Sequence, residues 1–321
     1  MDALLYWGLA WNIALQQLSP ALDGVMRALS FLGQADFFMI IIPFIYWCLD
    51  AALGARFVSV LIFSDYVNGL SKWLFHAPRP YWIDARVKAL STELGYGLPS
   101  GHAQDAFTVW GFVAYTLKKP WAWLAAALLI LAISISRIYL GVHFPTDMFI
   151  GWIIGLIILI VFLRLEPRVI RWIAPKPIGL QILIAFLASM VMLIGIVIVQ
   201  ALIATVIDPS SWSALAGPID PRNPEGPVSD AAIVFGIGAG FVLMRRYAHF
   251  DARGPWLKRI ARFVLGVVIL LAIRFGLGAI FTHDTSVVAM IFRYIRYVIM
   301  LLWAMWLAPW VFIKLKLAER A

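Results

Sequence analysis

Two histidines in this chain stand beside groups that could turn them into reagents. In SRIYLGVHFPTD, residues 136–147, His143 precedes Asp147 by four positions with Pro145 between them. If Pro145 lies in the first turn of a helix, the carboxylate can accept from one imidazole nitrogen and leave the other free as a nucleophile or base. In PSGH, residues 99–102, Ser100 and Gly101 sit where a helix would begin, directly before His102. Unpaired backbone N–H groups and the positive end of the helix dipole there can receive an anion, and glycine allows it to approach closely. A phosphate fits that description, whereas an ordinary N-cap would explain Ser100 and leave His102 unexplained. Cations surround these groups: Arg137 in the same stretch as His143, and Lys72 and Arg79, seven apart in KWLFHAPRP. Taken alone, Lys72 and Arg79 read equally as anchors reaching for headgroups. Upstream, Asp65, Asn68 and Lys72 recur at helical spacing on one face, with His76 a turn later, and intramembrane polar residues so arranged serve a site or pair with one another. Two imidazoles without further His, Asp and Glu clustering argue against a dimetal centre.

The elements that position these groups must be membrane helices. Of 321 residues, 63% are hydrophobic and 13% charged, and the mean hydropathy is +0.90. The apolar runs are continuous over about 17–25 residues and do not alternate, which implies an all-α, polytopic transmembrane bundle and not a barrel. We expect about nine spans, near 37–50, 57–75, 101–118, 121–139, 145–164, 177–207, 231–244, 260–281 and 287–313, preceded by an amphipathic segment, residues 1–35. Lys118, Lys119 and the basic stretches 164–176, 245–262 and 314–320 all fall on one side of that arrangement, the cytoplasmic side by the positive-inside rule. The histidines and their cations then face outward from a plasma (inner) membrane. The net charge of +9 reports topology and anionic headgroups, and nothing resembles a basic, aromatic-interleaved nucleic-acid surface. The chain opens Met1-Asp2-Ala3 without the basic n-region of a secretory signal. Its single cysteine, Cys48, excludes an intrachain disulfide and a cysteine metal cage.

The three stretches together resemble the motifs of the type 2 phosphatidic acid phosphatase superfamily, which also includes glucose-6-phosphatases and vanadium haloperoxidases. Residues 72–80 match its K-x6-R-P, residues 99–102 its P-S-G-H, and residues 136–147 its S-R-x5-H-x3-D, in order and without departure. The resemblance implies a phosphatase-like core over 36–170, followed by a C-terminal extension of four spans over 171–321. It implies that His143 attacks phosphorus, that Asp147 holds His143, and that His102 protonates the leaving oxygen and then activates water. Lys72, Arg79, Arg137, Ser100 and the Gly101 amide would hold the phosphate oxygens, without metal. The implied substrate is a phosphorylated lipid entering from the bilayer. The alternatives are a phosphotransferase or a soluble sugar-phosphate phosphatase with the same site, and a non-enzymatic lipid transporter or scaffold.

Three features lie outside that resemblance. Arg274, Arg293 and Arg296, with His283 and Asp284 between, put basic charge on the side where it is depleted, and suggest either snorkelling or a second anion-holding surface. The glycine-rich run 235–240 (FGIGAG) lies in an apolar span with no strand before it, which favours close helix packing over a nucleotide loop. The Pro- and Gly-rich loop 208–230 reads as a linker or a lid on the outward side.

Overall fold

The computed structural model describes residues 3–280 and 285–320, so His283 and Asp284 lie outside the described residues. Among these residues the regular structure is helical, apart from an isolated bridge between Phe250 and Arg320. In chain order the helices are α1 (Ala3–Gln16), α2 (Asp23–Phe31), α3 (Ala35–Phe44), α4 (Ala51–Phe75), α5 (Pro80–Ile83), α6 (Gly101–Leu117) and α7 (Pro120–Tyr139). They continue with α8 (Pro145–Ile173), α9 (Ile178–Leu202), α10 (Ser210–Ala216), α11 (Glu225–Leu243), α12 (Trp256–Ile280), α13 (Val287–Leu302) and α14 (Ala308–Lys314). Proline opens α5, α7 and α8, where its fixed φ suits a first turn and its missing N–H leaves nothing unpaired. Short π-helical turns at Ile45–Leu49, Met244–Ala248 and Trp303–Leu307 continue α3, α11 and α13.

The protein is a helical integral membrane protein, but length and apolarity mark six crossing segments among the described residues where nine were expected. These are Pro120–Tyr139, Pro145–Ile173, Ile178–Leu202, Glu225–Ala248, Trp256–Ala279 and Val287–Lys314. A seventh arises if Asp23–Phe31 and Ala35–Leu49, bent by 51°, form one broken span. The shortfall has a physical origin. The apolar run of α4 is diluted by Arg56, Asp65, Asn68 and Lys72, and α6 is only 17 residues long. These two helices carry much of the polar chemistry.

The described chain packs as two units. One comprises residues through Phe37, Ser64–Phe162 and Val197–Asn223. In it, α6 lies along α7 through small residues, Ala114 against Ala122 and Ala126, and Ala106 against Ile130 and Ile133. Small side chains let helices approach closely where lipid supplies no hydrophobic drive. The approach of α8 to α6 is closer still: a Cβ on Gly155 would lie 2.7 Å from the Gln104 carbonyl oxygen. The polar residues of α4 are satisfied across the same packing. Asn68 donates to Gln104 Oε1 at 2.9 Å, and Gln104 Nε2 donates to the Ser64 carbonyl at 2.7 Å. Buried amides so paired lock register, because leaving either unmet in hydrocarbon is costly.

The other unit comprises Phe38–Phe63, Leu163–Ile196 and residues from Pro224 onward. Its core is aromatic. The Tyr46 hydroxyl donates to the Met305 carbonyl at 2.8 Å, Trp47 Nε1 donates to the Ala304 carbonyl at 2.8 Å, and the Trp47 and Phe312 rings meet edge-on at 5.5 Å. The glycine-rich run belongs to α11, where a Cβ on Gly236 would lie 2.4 Å from Leu301 and one on Gly240 would lie 2.7 Å from Met305. It is a packing surface.

Because the acceptor facing Gly155 is backbone, it cannot move aside. Gly155→Ala should destabilise the protein by about 1–3 kcal/mol, the usual cost of overpacking. Gly276→Ala on α12, where a Cβ meets nothing within 4 Å, should be neutral or slightly stabilising. Thermal melting of both variants in one detergent checks this, and equal shifts would contradict the packing described.

Candidate active site

His143 follows the end of α7 in a tight connection to α8 and is 2% exposed. Its Nδ1 lies 3.2 Å from Asp147 Oδ2, one turn into α8, and its Nε2 lies 3.2 Å from Arg79 Nη1. A guanidinium only donates, so Nε2 must accept and Nδ1 must carry the proton. Asp147 Oδ2 also accepts from the Phe144 amide at 2.9 Å, which pins the carboxylate against the turn that presents the histidine. Burial first, and then the charges of Arg79, Lys72 and Arg137, hold the His143 pKa well below the ordinary histidine range. The ring is therefore neutral, with a lone pair on Nε2.

The connection bearing His143 is clamped by α1. Asn12 Nδ2 donates to the Ile138 carbonyl at 2.8 Å and to the His143 carbonyl at 3.1 Å. Gln16 Nε2 donates to the Tyr139 carbonyl at 3.0 Å and the Lys88 carbonyl at 2.8 Å. Neither residue was expected to serve the site. Their signal was two carboxamides, four apart, in an otherwise apolar helix.

The cations are held mainly by backbone oxygens. Lys72 Nζ donates to the carbonyls of Tyr96 at 2.7 Å and Gly97 at 3.3 Å. Arg79 donates from Nε to Gly95 at 2.6 Å, from Nη2 to Tyr96 at 3.0 Å, and from Nη1 to Val142 at 2.9 Å. Residues 95–97 thus form a rack of carbonyls that aims both side chains. Arg137 differs: it donates to Ser30 Oγ at 2.6 Å and is ion-paired with Glu93. The protein around Glu93 favours its neutral form, but Arg79 and Arg137 outweigh this and hold the carboxyl at about 2, so it is ionised. Sequence reasoning missed Glu93, which stands outside every motif.

At the start of α6, Ser100 is the N-cap, its Oγ accepting from the Ala103 amide at 3.4 Å, and its own amide donates to the Asp147 carbonyl at 3.0 Å. Gly101 is the first helical residue, with Asn68 Oδ1 3.0 Å from where its Cβ would stand. The His102 ring lies against Gly33, and Arg137, Glu93, Lys72 and Arg79 are close enough to act on it electrostatically. Its Nε2 is buried and has no hydrogen-bond partner among the described residues. The eight predicted residues Lys72, Arg79, Ser100, Gly101, His102, Arg137, His143 and Asp147 all belong to the first unit. Arg274, Arg293 and Arg296 belong to the second. There Arg293 pairs with Glu225 at 2.7 Å and donates to Ser229 Oγ at 2.8 Å, while Arg274 Nη1 donates to Met39 Sδ at 2.8 Å. Arg296 stacks on Tyr297, and its buried Nε has no partner among the described residues.

Chemically, the first unit offers an imidazole lone pair, a second imidazole, three cations and a helix N-terminus, a set suited to a tetrahedral oxyanion. Comparison with known proteins finds phosphatases. Residues 53–171 match the PAP2 superfamily, and residues 228–320 match the PAP2 superfamily phosphatase transmembrane extension. The chain is 26% identical over 189 residues to glucose-6-phosphatase catalytic subunit 1 of Haplochromis nubilus, covering 49% of this chain and 53% of that protein. It is 26% identical over 170 residues to lipid phosphate phosphatase delta of Arabidopsis thaliana, covering 48% and 41%. To an undecaprenyl-diphosphatase of Sulfolobus acidocaldarius it is 30% identical over 105 residues, covering 32% and 50%. The chain thus spans about half the length of the curated relatives it matches.

The protonation state of His143 is open to direct measurement. With ¹⁵N-labelled histidine, its ring should remain neutral with the proton on Nδ1 at pH 6, below the ordinary histidine value of about 6.5. A half-protonated ring at pH 6.5, or a proton on Nε2, would contradict the geometry.

Proposed function

Since the chain belongs to the PAP2 superfamily, carrying its domain and the transmembrane extension of its phosphatases, we propose that it is an integral membrane phosphatase acting on a phosphomonoester or diphosphate of a lipid. The observation that carries this reading is the His143 imidazole, its Nε2 a lone pair beside Arg79 and its Nδ1 on Asp147. In the proposed reaction Nε2 attacks phosphorus as the bond to the leaving oxygen breaks, and His102 gives that oxygen a proton. His102 then takes a proton from water, whose oxygen attacks the phosphohistidine and releases inorganic phosphate and free His143. Lys72, Arg79, Arg137, Ser100 and the Gly101 amide hold the non-bridging oxygens. Phosphoryl transfer asks a protein mainly for such positioning and charge, and this step needs no metal. The reading also keeps the nine-span arrangement, with α4, α6 and the bent pair as crossings and the site on the extracytoplasmic face of a plasma (inner) membrane.

A soluble sugar phosphate is the second reading, favoured by the length of the match to the glucose-6-phosphatase. The same phosphohistidine would serve a non-water acceptor, and product analysis against a panel of lipid and sugar phosphates separates these cases.

Purified protein should release phosphate in the presence of EDTA and be inhibited by vanadate, which mimics five-coordinate phosphorus. Activity lost in EDTA and restored by Mg²⁺ would count against the mechanism. His143→Ala should lower turnover by at least about 10³-fold and abolish any acid-labile phosphoenzyme, as expected for a nucleophile. His102→Ala should still trap phosphate from an ester with a good leaving group. Rapid hydrolysis by the His143→Ala protein would sink the assignment.

The second anion-holding surface expected of Arg274, Arg293 and Arg296 is retained as part of this proposal. Its support is the buried Arg296 Nε, which has no partner among the described residues, while Arg293 already answers Glu225. Arg296→Gln should weaken binding of an anionic lipid headgroup to the purified protein; unchanged binding would show that Arg296 holds no anion.

A further inference from the structure

The loop between α9 and α11 falls in neither family match, which end at 171 and resume at 228. It belongs nonetheless to the unit that carries the candidate site. Its attachment there is specific. The Tyr96 hydroxyl donates to the Asp208 carboxylate, 2.8 Å from Oδ1 and 2.9 Å from Oδ2, and accepts from Arg222 Nε at 3.1 Å. Arg222 closes the triangle by donating to Asp208 Oδ2 at 3.1 Å and to the Val206 carbonyl at 2.7 Å. Trp212, on α10, packs on Trp82 of α5 with ring centroids 5.8 Å apart, and the Asp220 amide donates to the Leu94 carbonyl at 3.3 Å. A passive linker has no need of an ion pair closed on a buried phenol.

Tyr96 is the residue whose other end matters. It is fully buried, its ring packs against His76 and Trp82, and its carbonyl receives both Lys72 and Arg79. Its side chain is thus tied to the loop and its backbone to two of the proposed phosphate-holding cations. A shift of the Tyr96 peptide moves Lys72 and Arg79 together.

We propose that residues 203–223 form a strap whose Asp208–Arg222 pair, through the Tyr96 hydroxyl, fixes the carbonyl that aims Lys72 and Arg79, and so sets the affinity of the site for the phosphate group of its substrate. Tyr96, Asp208 and Arg222 are positioning residues; none of them is required to touch the substrate. The proposal rests on the phosphatase reading for its ligand but concerns residues that reading does not use. Burial, reinforced by Asp208, pushes the Tyr96 phenol up to about 12, so it stays protonated as the donor the carboxylate requires.

The test uses Tyr96→Phe, which keeps the ring and removes only the hydroxyl, Asp208→Ala, and the double variant. Binding of inorganic phosphate and vanadate to the full-length protein is measured beside kcat and KM for a small phosphate ester. Each single variant should weaken both anions about tenfold, the scale of a charge-assisted hydrogen bond lost, and raise KM by a similar factor with a smaller change in kcat. The double variant should be no worse than the weaker-binding single, because both break one linkage. Asp208→Asn, which retains an acceptor for the phenol, should recover part of the affinity. Unchanged anion affinity in Tyr96→Phe, or independent effects that multiply in the double variant, would overturn the strap. Wild-type protein that binds phosphate but hydrolyses nothing would sink the phosphatase reading alone, since the strap is judged on affinity. Wild-type protein that binds neither anion would overturn both.

Discussion

Everything in the candidate site depends on holding cations close together at a membrane without cancelling them. A buried ammonium or guanidinium needs its donors satisfied, and the usual partner is a carboxylate. Lys72 and Arg79 are satisfied instead by the neutral carbonyls of residues 95–97 and Val142. Carbonyl dipoles solvate a cation without placing a formal negative charge against it. That solution demands a backbone segment with little freedom. Residues around 95–97 are accordingly tied down on several sides, by the Tyr81 hydroxyl on the Glu93 carbonyl, by the Gly97 amide on the Ala77 carbonyl and by Asp208 and Arg222 on Tyr96.

The helices answer the same requirement. Gln104 and Asn68 join α6 to α4, the glycines of α8 let it press on the backbone of α6, and the Ser100 amide bonds to the Asp147 carbonyl. The helix start that presents Ser100 and Gly101 is therefore registered against the helix that carries Asp147. This precision has a cost in apolarity, and it falls on α4 and α6, which miss the standard of a simple membrane span for the reason that makes them useful.

Much of this was legible in the sequence because the candidate side chains are close together within three short stretches. His143 and Asp147 are four apart, and a helix start can be read from a serine, a glycine and a proline. What supports them was not legible. A carbonyl acceptor leaves no mark on residue identity, so nothing in GYG at 95–97 announces that it holds Lys72 and Arg79. Glu93 is an ordinary loop carboxylate until Arg137, 44 positions on, turns toward it. Tyr96 lies 112 positions from Asp208 and 126 from Arg222. Length and apolarity mark six spans where nine were read for a related reason, since hydropathy measures the mean character of a helix and α4 mixes an apolar exterior with a polar face. Asn12 and Gln16 were readable in principle, as an amide pair in an apolar helix, but their acceptors are again backbone carbonyls.

The unequal treatment of the three cations has a consequence of its own. Arg137 is ion-paired with Glu93, whose charge also reaches Arg79, while the direct acceptors for Lys72 and Arg79 are mainly carbonyl oxygens. In the proposed reaction a phosphate monoester, with close to two negative charges at neutral pH, would meet Lys72 and Arg79 aimed by neutral carbonyls, and the α6 N-terminus would add a partial positive charge. By sharing Arg137 with Glu93 the protein keeps a directional donor at the site while offsetting its long-range attraction. The direct partners thus differ in kind: the carbonyl rack places Lys72 and Arg79 through neutral oxygens, and Glu93 both places Arg137 and offsets its charge.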